Sequence, residues 1–166
     1  GCTARLIVDI MGLSGTPWHL ALDRTNWKFG RRHVNILMLG VVHGNVCIPL
    51  FWVLLGKAGN SNARERIDLM ARLREVFPEQ PLASLSGDRE FIGERWMNWL
   101  HKQGIPFVLR LKENMFVCNE EHVPVKLSAH ARHLKKRQSR ILKGTWYLGR
   151  DPAKPATPVK IAMLRL

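Results

Sequence analysis

Apolar residues run in short blocks from Trp18 onward, and the spacing inside each block sets the element it can form. Trp18–Asp23 is a short apolar run that ends on a carboxylate and reads as a first strand. Two Val/Ile/Leu-rich stretches, Val34–Val42 and Val46–Leu55, flank His43-Gly44-Asn45, the composition of a hairpin around a tight turn. Gly59-Asn60-Ser61-Asn62 follows as a turn and helix start, with Asn62 and Glu65 at capping-box spacing. Ala63, Ile67, Met70, Leu73 and Phe77 then keep helical spacing until Pro78. Arg64, Arg66, Arg72, Arg74 and Glu75 fall on the other, solvated side. Leu82–Asp88 is a fourth strand, again ending on a carboxylate. A second helix starts near Gly93 and buries Trp96, Trp99 and Leu100. It ends at Gly104 and Pro106, and Phe107–Leu111 forms a fifth strand. Beyond Glu113 the periodicity weakens. Met115–Val125, Thr145–Leu148 and Val159–Leu166 read as strands, His130–Leu142 as a basic helix, and Pro152, Pro155 and Pro158 mark a loop.

Three meandering strands followed by two helix-linked parallel strands is the element order of a ribonuclease-H-like sheet. The expected fold class is therefore α/β: a mixed five-stranded sheet with flanking helices over residues 1–115. A basic, β-rich insertion is expected to start at 116–166. One rival reading concerns 34–56, which holds no Asp, Glu, Lys or Arg and is long enough to span a bilayer. His43-Gly44-Asn45 and Pro49 interrupt it, which favours two strands over one helix.

Composition adds a partner class. The 166 residues include 46% hydrophobic side chains, enough for a packed core, and carry a net charge of +13. Residues 1–109 hold 13 basic and 9 acidic side chains, while 110–166 hold 13 basic and 4 acidic. That excess points to a polyanion, and its distribution makes the second part the contact surface. Cys2, Cys47 and Cys118 are odd in number and widely spaced, as free thiols of a reducing compartment are. Residues 1–12 have Asp9 in the apolar stretch and no basic leader, so they do not read as a signal peptide. The chain begins with Gly rather than Met and is expected to be a fragment.

In the expected sheet the first and fourth strands lie side by side where the winding direction changes, which is where open sheets gather ligands. Asp23 and Asp88 end those strands. Two adjacent carboxylates repel unless a cation sits between them, and hard oxygen donors suit Mg²⁺ or Mn²⁺. Two such ions roughly 4 Å apart can activate a hydroxyl and stabilise the leaving oxygen of a phosphodiester. The plain alternative is a turn aspartate at 23 and a salt-bridged loop aspartate at 88. Arg89 can contact phosphate or pair with an acidic neighbour. Arg110 and Lys112 alternate with Leu109 and Leu111, giving one apolar and one basic face suited to a DNA backbone. Trp27 beside Lys28 can stack on a base, although core packing is the stronger reading. The run Arg132–Lys143, with Lys135, Lys136 and Arg137 at its centre, can grip DNA or form a solvated face. Cys118, His122, His130 and His133 match no closed zinc site.

Several stretches carry a resemblance: LALDRTNWKFG at 20–30, HVNILMLGVV after it, GNSNARERIDLM at 59–70, LSGDREFIGERWMNWL at 85–100 and FVLRLKENM at 107–115. Together they resemble the catalytic domain of bacterial DDE transposases of the insertion-sequence type called IS-four. The resemblance implies a ribonuclease-H-like fold with a strand-rich insertion and a two-metal mechanism. That mechanism nicks transposon ends and joins a 3′-hydroxyl to target DNA in a paired, homodimeric complex. It implies Asp23 and Asp88 as the first two catalytic carboxylates and as ligands of Mg²⁺ or Mn²⁺. Arg89, Arg110, Lys112, Lys135, Lys136 and Arg137 would then contact DNA, in the bacterial cytoplasm at the nucleoid. The family's third carboxylate is a Glu in a Tyr-x-x-Arg-x-x-x-Glu motif. Tyr147 and Arg150 have that spacing, but position 154 is Lys. The third residue is accordingly expected beyond Leu166. Two other functions are compatible with these residues: a non-catalytic DNA-binding remnant, and a ribonuclease-H-like nuclease without a mobile-element role.

Overall fold

Alternating burial along Trp18–Phe29 builds the central strand: Trp18, Leu20 and Leu22 are buried while His19 and Asp23 are exposed. The computed structural model describes residues 1–121, 123–149 and 157–166. Those residues form two compact units, Gly1–Arg110 and Leu111–Leu166.

The first unit opens with a helix, α1 (Cys2–Ile10), in a stretch where no element is expected from the residue pattern. Strands β1 (Trp18–Phe29), β2 (Arg32–His43) and β3 (Val46–Leu55) then form the meander. The 34–56 stretch is thus a hairpin. Among the described residues no helix is long and apolar enough to cross a membrane. Helix α2 (Ala63–Val76), β4 (Leu82–Gly87), helix α3 (Glu94–Lys102) and β5 (Phe107–Leu109) complete the unit. The sheet order is β3-β2-β1-β4-β5. The β1–β2 and β2–β3 pairs are antiparallel, and the β1–β4 and β4–β5 pairs parallel. This is the ribonuclease-H-like arrangement.

The core lies between one sheet face and the helices. Leu20, Leu22, Leu37, Leu39, Phe51 and Leu85 from the sheet meet Leu69, Met70, Leu73, Trp96 and Leu100. Asn62 caps α2 as expected: its side chain accepts from Glu65 N–H at 3.0 Å, and Glu65 accepts from Asn62 N–H at 2.7 Å. Arg66 departs from expectation. It is not solvated but 4% exposed, donating to Ser61 Oγ and to the carbonyls of Ser61 and Glu90, with its guanidinium over the Phe91 ring. Helical periodicity placed it on the outer side, but these acceptors draw it into the core. The opposite sheet face is open, with Trp52, Leu54 and Val108 from 49 to 68% exposed.

A β-bulge where β2 meets β3 depends on Gly40. A Cβ there would lie 2.5 Å from Cys47 Sγ and 2.7 Å from the Ile48 carbonyl oxygen, so only glycine fits the close approach.

The second unit is built from short strands: β6 (Phe116–Cys118), β7 (Pro124–Lys126), β8 (Ser139–Ile141), β9 (Trp146–Leu148), β10 (Pro158–Val159) and β11 (Ala162–Leu164). They form sheets of order β10-β9-β6-β7 and β11-β8 around Val117, Leu127, Leu142, Trp146 and Ile161. The expected helix over His130–Leu142 is absent. A five-residue helix, α4 (Leu127–Ala131), gives way to turns and then β8. Arg137 at φ +63° is incompatible with a continuing helix, and its N–H donates to the Arg165 carbonyl. Arg150, Pro152, Lys154 and Pro155 lie outside the described residues.

Candidate active site

The first and fourth strands run in parallel register, with Leu20 opposite Leu85, Ala21 opposite Ser86 and Leu22 opposite Gly87. One residue further on stand Asp23, still in β1, and Asp88, which follows β4 and precedes the 3₁₀ turn Arg89–Phe91. Side-chain alternation sends both to the same face. Leu22 and Leu85 point into the core at 3% and 0% exposure, and a Cβ on Gly87 would meet the buried Phe91 ring at 3.0 Å. Asp23 and Asp88 therefore emerge on the open side, both exposed, on or just past strands that neighbour each other at about 4.8 Å.

Each carboxylate has a local partner. Asp23 Oδ1 accepts from the Arg24 N–H at 2.7 Å, and Asp88 Oδ1 lies 4.0 Å from Arg110 Nη1. Cys47 is also on this side of the sheet. Desolvation of its sulfur raises the thiol pKa, and the Asp23 charge adds to the effect. Among the described residues no three His, Cys, Asp or Glu side chains group to hold a metal. A carboxylate pair fits Mg²⁺ or Mn²⁺. Hard oxygens face water, one face of the sheet is uncovered, and such ions keep several waters when one or two carboxylates hold them.

A polar lock beneath the sheet holds the two aspartate-bearing segments together. Arg24, next to Asp23 but pointing inward, donates from Nε and Nη2 to both oxygens of Glu90 at 2.7 and 2.8 Å. Glu90 lies two residues past Asp88, in the single 3₁₀ turn Arg89–Phe91. Arg24 also donates to Asn35 Oδ1 at 3.1 Å and Asn60 Oδ1 at 3.3 Å, and buried Asn35 donates to the Lys57 and Gly59 carbonyls. The hydrogen bond to Glu90 is the main reason the Arg24 pKa rises above its ordinary value. Burial opposes it, and the charges of Glu90 and Asp23 add to it. For Arg66 burial dominates and lowers the pKa, against the charges of Glu90 and Glu65. The sequence reading missed this lock. Arg24 and Glu90 are 66 positions apart, and only the strand order reveals them as neighbours.

The cationic candidates fall in two groups. Arg89 and Arg110 are exposed in the first unit, with Arg110 beside Asp88. Lys112, Lys135, Lys136 and Arg137 are exposed in the second unit. The last three sit in a turn closed by hydrogen bonds between Lys135 and Gln138. Trp27 is a correction. It is 54% exposed rather than packed in the core, because β1 runs six residues past Asp23 into a ribbon that no helix covers.

No curated protein matches the chain. Solved structures similar to it include the following three. A simian T-cell lymphotropic virus intasome in complex with the PP2A regulatory subunit B56 gamma has 9% identity and a TM-score of 0.45, covering 58% of this chain and 36% of that one. The HTLV-2 integrase catalytic core domain in complex with magnesium has 13% identity and a TM-score of 0.35, covering 55% and 59%. The piggyBac transposase synaptic complex with hairpin DNA has 14% identity and a TM-score of 0.47, covering 89% and 33%. The chain thus spans a third to three fifths of those chains' length. The family described as Transposase DDE domain matches residues 14–147, a stretch that takes in β1 through β8 and the start of β9 with both aspartates, and it is to this family that the chain belongs.

Proposed function

We propose that this chain supplies two of the metal-binding carboxylates of a DNA-cleaving and strand-transferring transposase, Asp23 and Asp88. The supporting observation is the parallel β1–β4 register, whose last pair, Leu22 opposite Gly87, is followed directly by Asp23 and Asp88, 65 positions apart in the sequence. Asp23 and Asp88 would hold Mg²⁺ or Mn²⁺. When bound, such ions activate a water or 3′-hydroxyl and stabilise the leaving oxygen of a phosphodiester. The chain's own residues supply the rest. The Arg24 N–H fixes one oxygen of Asp23, leaving the other free for a cation. The Arg24–Glu90 fork holds the turn after Asp88 against β1. Arg110 places a cation beside Asp88, where a scissile phosphate needs charge compensation. Residues 111–166, with 12 basic and 4 acidic side chains, act as a DNA-backbone contact through Lys112, Lys135, Lys136 and Arg137.

The test is a Mn²⁺ titration followed by electron paramagnetic resonance, together with an assay of nicking of end-containing DNA. Asp23→Asn and Asp88→Asn each should weaken Mn²⁺ binding and abolish nicking. Unchanged nicking by Asp88→Asn would remove that residue from the site. DNA binding without any Mn²⁺ binding would support the non-catalytic remnant instead.

A further inference from the structure

We propose that the tip of the β1–β2 hairpin, residues 26–34, is a stacking platform for unpaired bases of a DNA strand leading to the Asp23–Asp88 pair. Its placement beside a reaction centre rests on the functional reading above; its capacity to bind a strand does not. The pairing of β1 with β4 ends at Leu22, and that of β2 with β3 ends at Asn35. Beyond those points only Asn26–Phe29 and Arg32–Asn35 pair, so the tip is a two-stranded ribbon closed by Gly30–Arg31, with Gly30 at φ +57°. Trp27 and Phe29 sit on it 54% and 64% exposed, edge to face with centroids 6.4 Å apart. Two large rings exposed side by side form an apolar patch of the kind that marks an interaction site.

Two further observations identify that ligand. The first is direction. Residues of one strand alternate faces, so Asp23, Thr25, Trp27 and Phe29 share the open face, and no bulge interrupts the β1–β2 register between them. Four residues of strand separate Trp27 from Asp23, roughly 13 Å, about the rise of four stacked nucleotides. The second is charge. Residues 26–34 contain Lys28, Arg31 and Arg32 and no Asp or Glu, with Lys28 alternating to the face opposite the rings. Aromatic faces beside cations, without acidic groups, suit a strand whose bases stack while its phosphates meet the charges. An apolar protein partner would have no use for a basic segment free of acidic residues at this tip.

The experiment is fluorescence anisotropy of a labelled single-stranded oligonucleotide with this chain in EDTA, so that the readout needs no metal. Trp27→Ala should weaken single-strand binding on the order of 5- to 150-fold while changing blunt-duplex binding less than twofold. Trp27→Phe should restore most of the loss. The salt slope should stay as in the wild type for Trp27→Ala and shrink by roughly 0.7 for Arg31→Ala. Circular dichroism and thermal melting confirm folding, and Phe29→Ala is the second variant if Trp27→Ala melts early. A folded Trp27→Ala protein that binds the strand within twofold of wild type overturns the proposal. So does a Trp27→Ala protein that loses self-association in sedimentation while keeping strand affinity, since the tip is then a contact between copies. If Mn²⁺ binding at the aspartates fails but the Trp27 effect holds, the functional reading falls and the platform stands; the converse result removes only the platform.

Discussion

Glu90→Gln removes the charge that both prongs of the Arg24 fork meet. The side chains of Arg24 and Glu90 are 13% and 21% exposed, and their contacts are 2.7 and 2.8 Å, so the pair is largely desolvated. Breaking a fully buried pair from one side costs about 3–5 kcal/mol, because the remaining charge stays unpaired. Here Arg24 keeps Asn35 and Asn60 as acceptors, and the new Gln keeps one carbonyl oxygen. The expected cost is therefore about 2–3 kcal/mol. A chain of this size loses roughly 2–4 °C of Tm per kcal/mol, giving a drop of roughly 4–12 °C. Circular dichroism melts of wild type and Glu90→Gln read it directly. A second readout follows from position: the turn that carries Glu90 also fixes Asp88, so Mn²⁺ affinity should fall with stability. Arg24→Lys should not compensate, because an ammonium cannot present two parallel N–H groups to a carboxylate. A Glu90→Gln protein melting within 1 °C of wild type would refute the reasoning, since the fork would then contribute nothing that water does not replace.

Gly40→Ala should destabilise the chain by about 1–3 kcal/mol in guanidinium unfolding, because its Cβ meets Cys47 Sγ and the Ile48 carbonyl. Adding Cys47→Ala should recover only part of that loss, since the backbone oxygen remains. Burial alone would raise the Glu65 pKa, but the Lys57 ammonium, the Asn62 N–H and the Arg66 charge hold it below its ordinary value of 4.5. Its contribution is complete above that value and is lost as pH falls further, toward the folded-state pKa. The Tm of wild type should thus drop more steeply below pH 4.5 than that of Glu65→Gln. Replacing Lys135, Lys136 and Arg137 together by Ala should reduce the salt slope of duplex binding by as much as about 2.7 while leaving the Tm nearly unchanged, since all three are exposed. An unchanged slope would make that turn a bystander.

The order of the first five strands was legible because each is a distinct apolar block punctuated by Gly, Asn or Pro, and because Asn62 and Glu65 announce α2. The neighbouring, parallel placement of β1, which carries Asp23, and β4, which Asp88 follows, was expected from that order alone. What stayed hidden depends on contacts between distant segments. Arg66 keeps the period of an outward residue, yet Ser61 and the Glu90 carbonyl give it acceptors inside. Trp27 looks like core by composition and is exposed because the ribbon outruns its neighbours. Helix α1 was invisible because only Ala4 and Val8 of its nine residues are buried, too few for a clear stripe. In the second unit the strands are two or three residues long, so period-2 alternation has no length in which to show. The basic run 130–142 looked helical because its charges carry no φ information, while Arg137 adopts a left-handed backbone.

Diffraction from crystals soaked in Mn²⁺, with anomalous maps at the manganese edge, addresses the central arrangement most directly. Density bridging the carboxylates of Asp23 and Asp88 on the open face of the five-stranded sheet is the predicted result. Manganese bound elsewhere, or two empty carboxylates turned away from each other in a crystal that binds manganese, would contradict it.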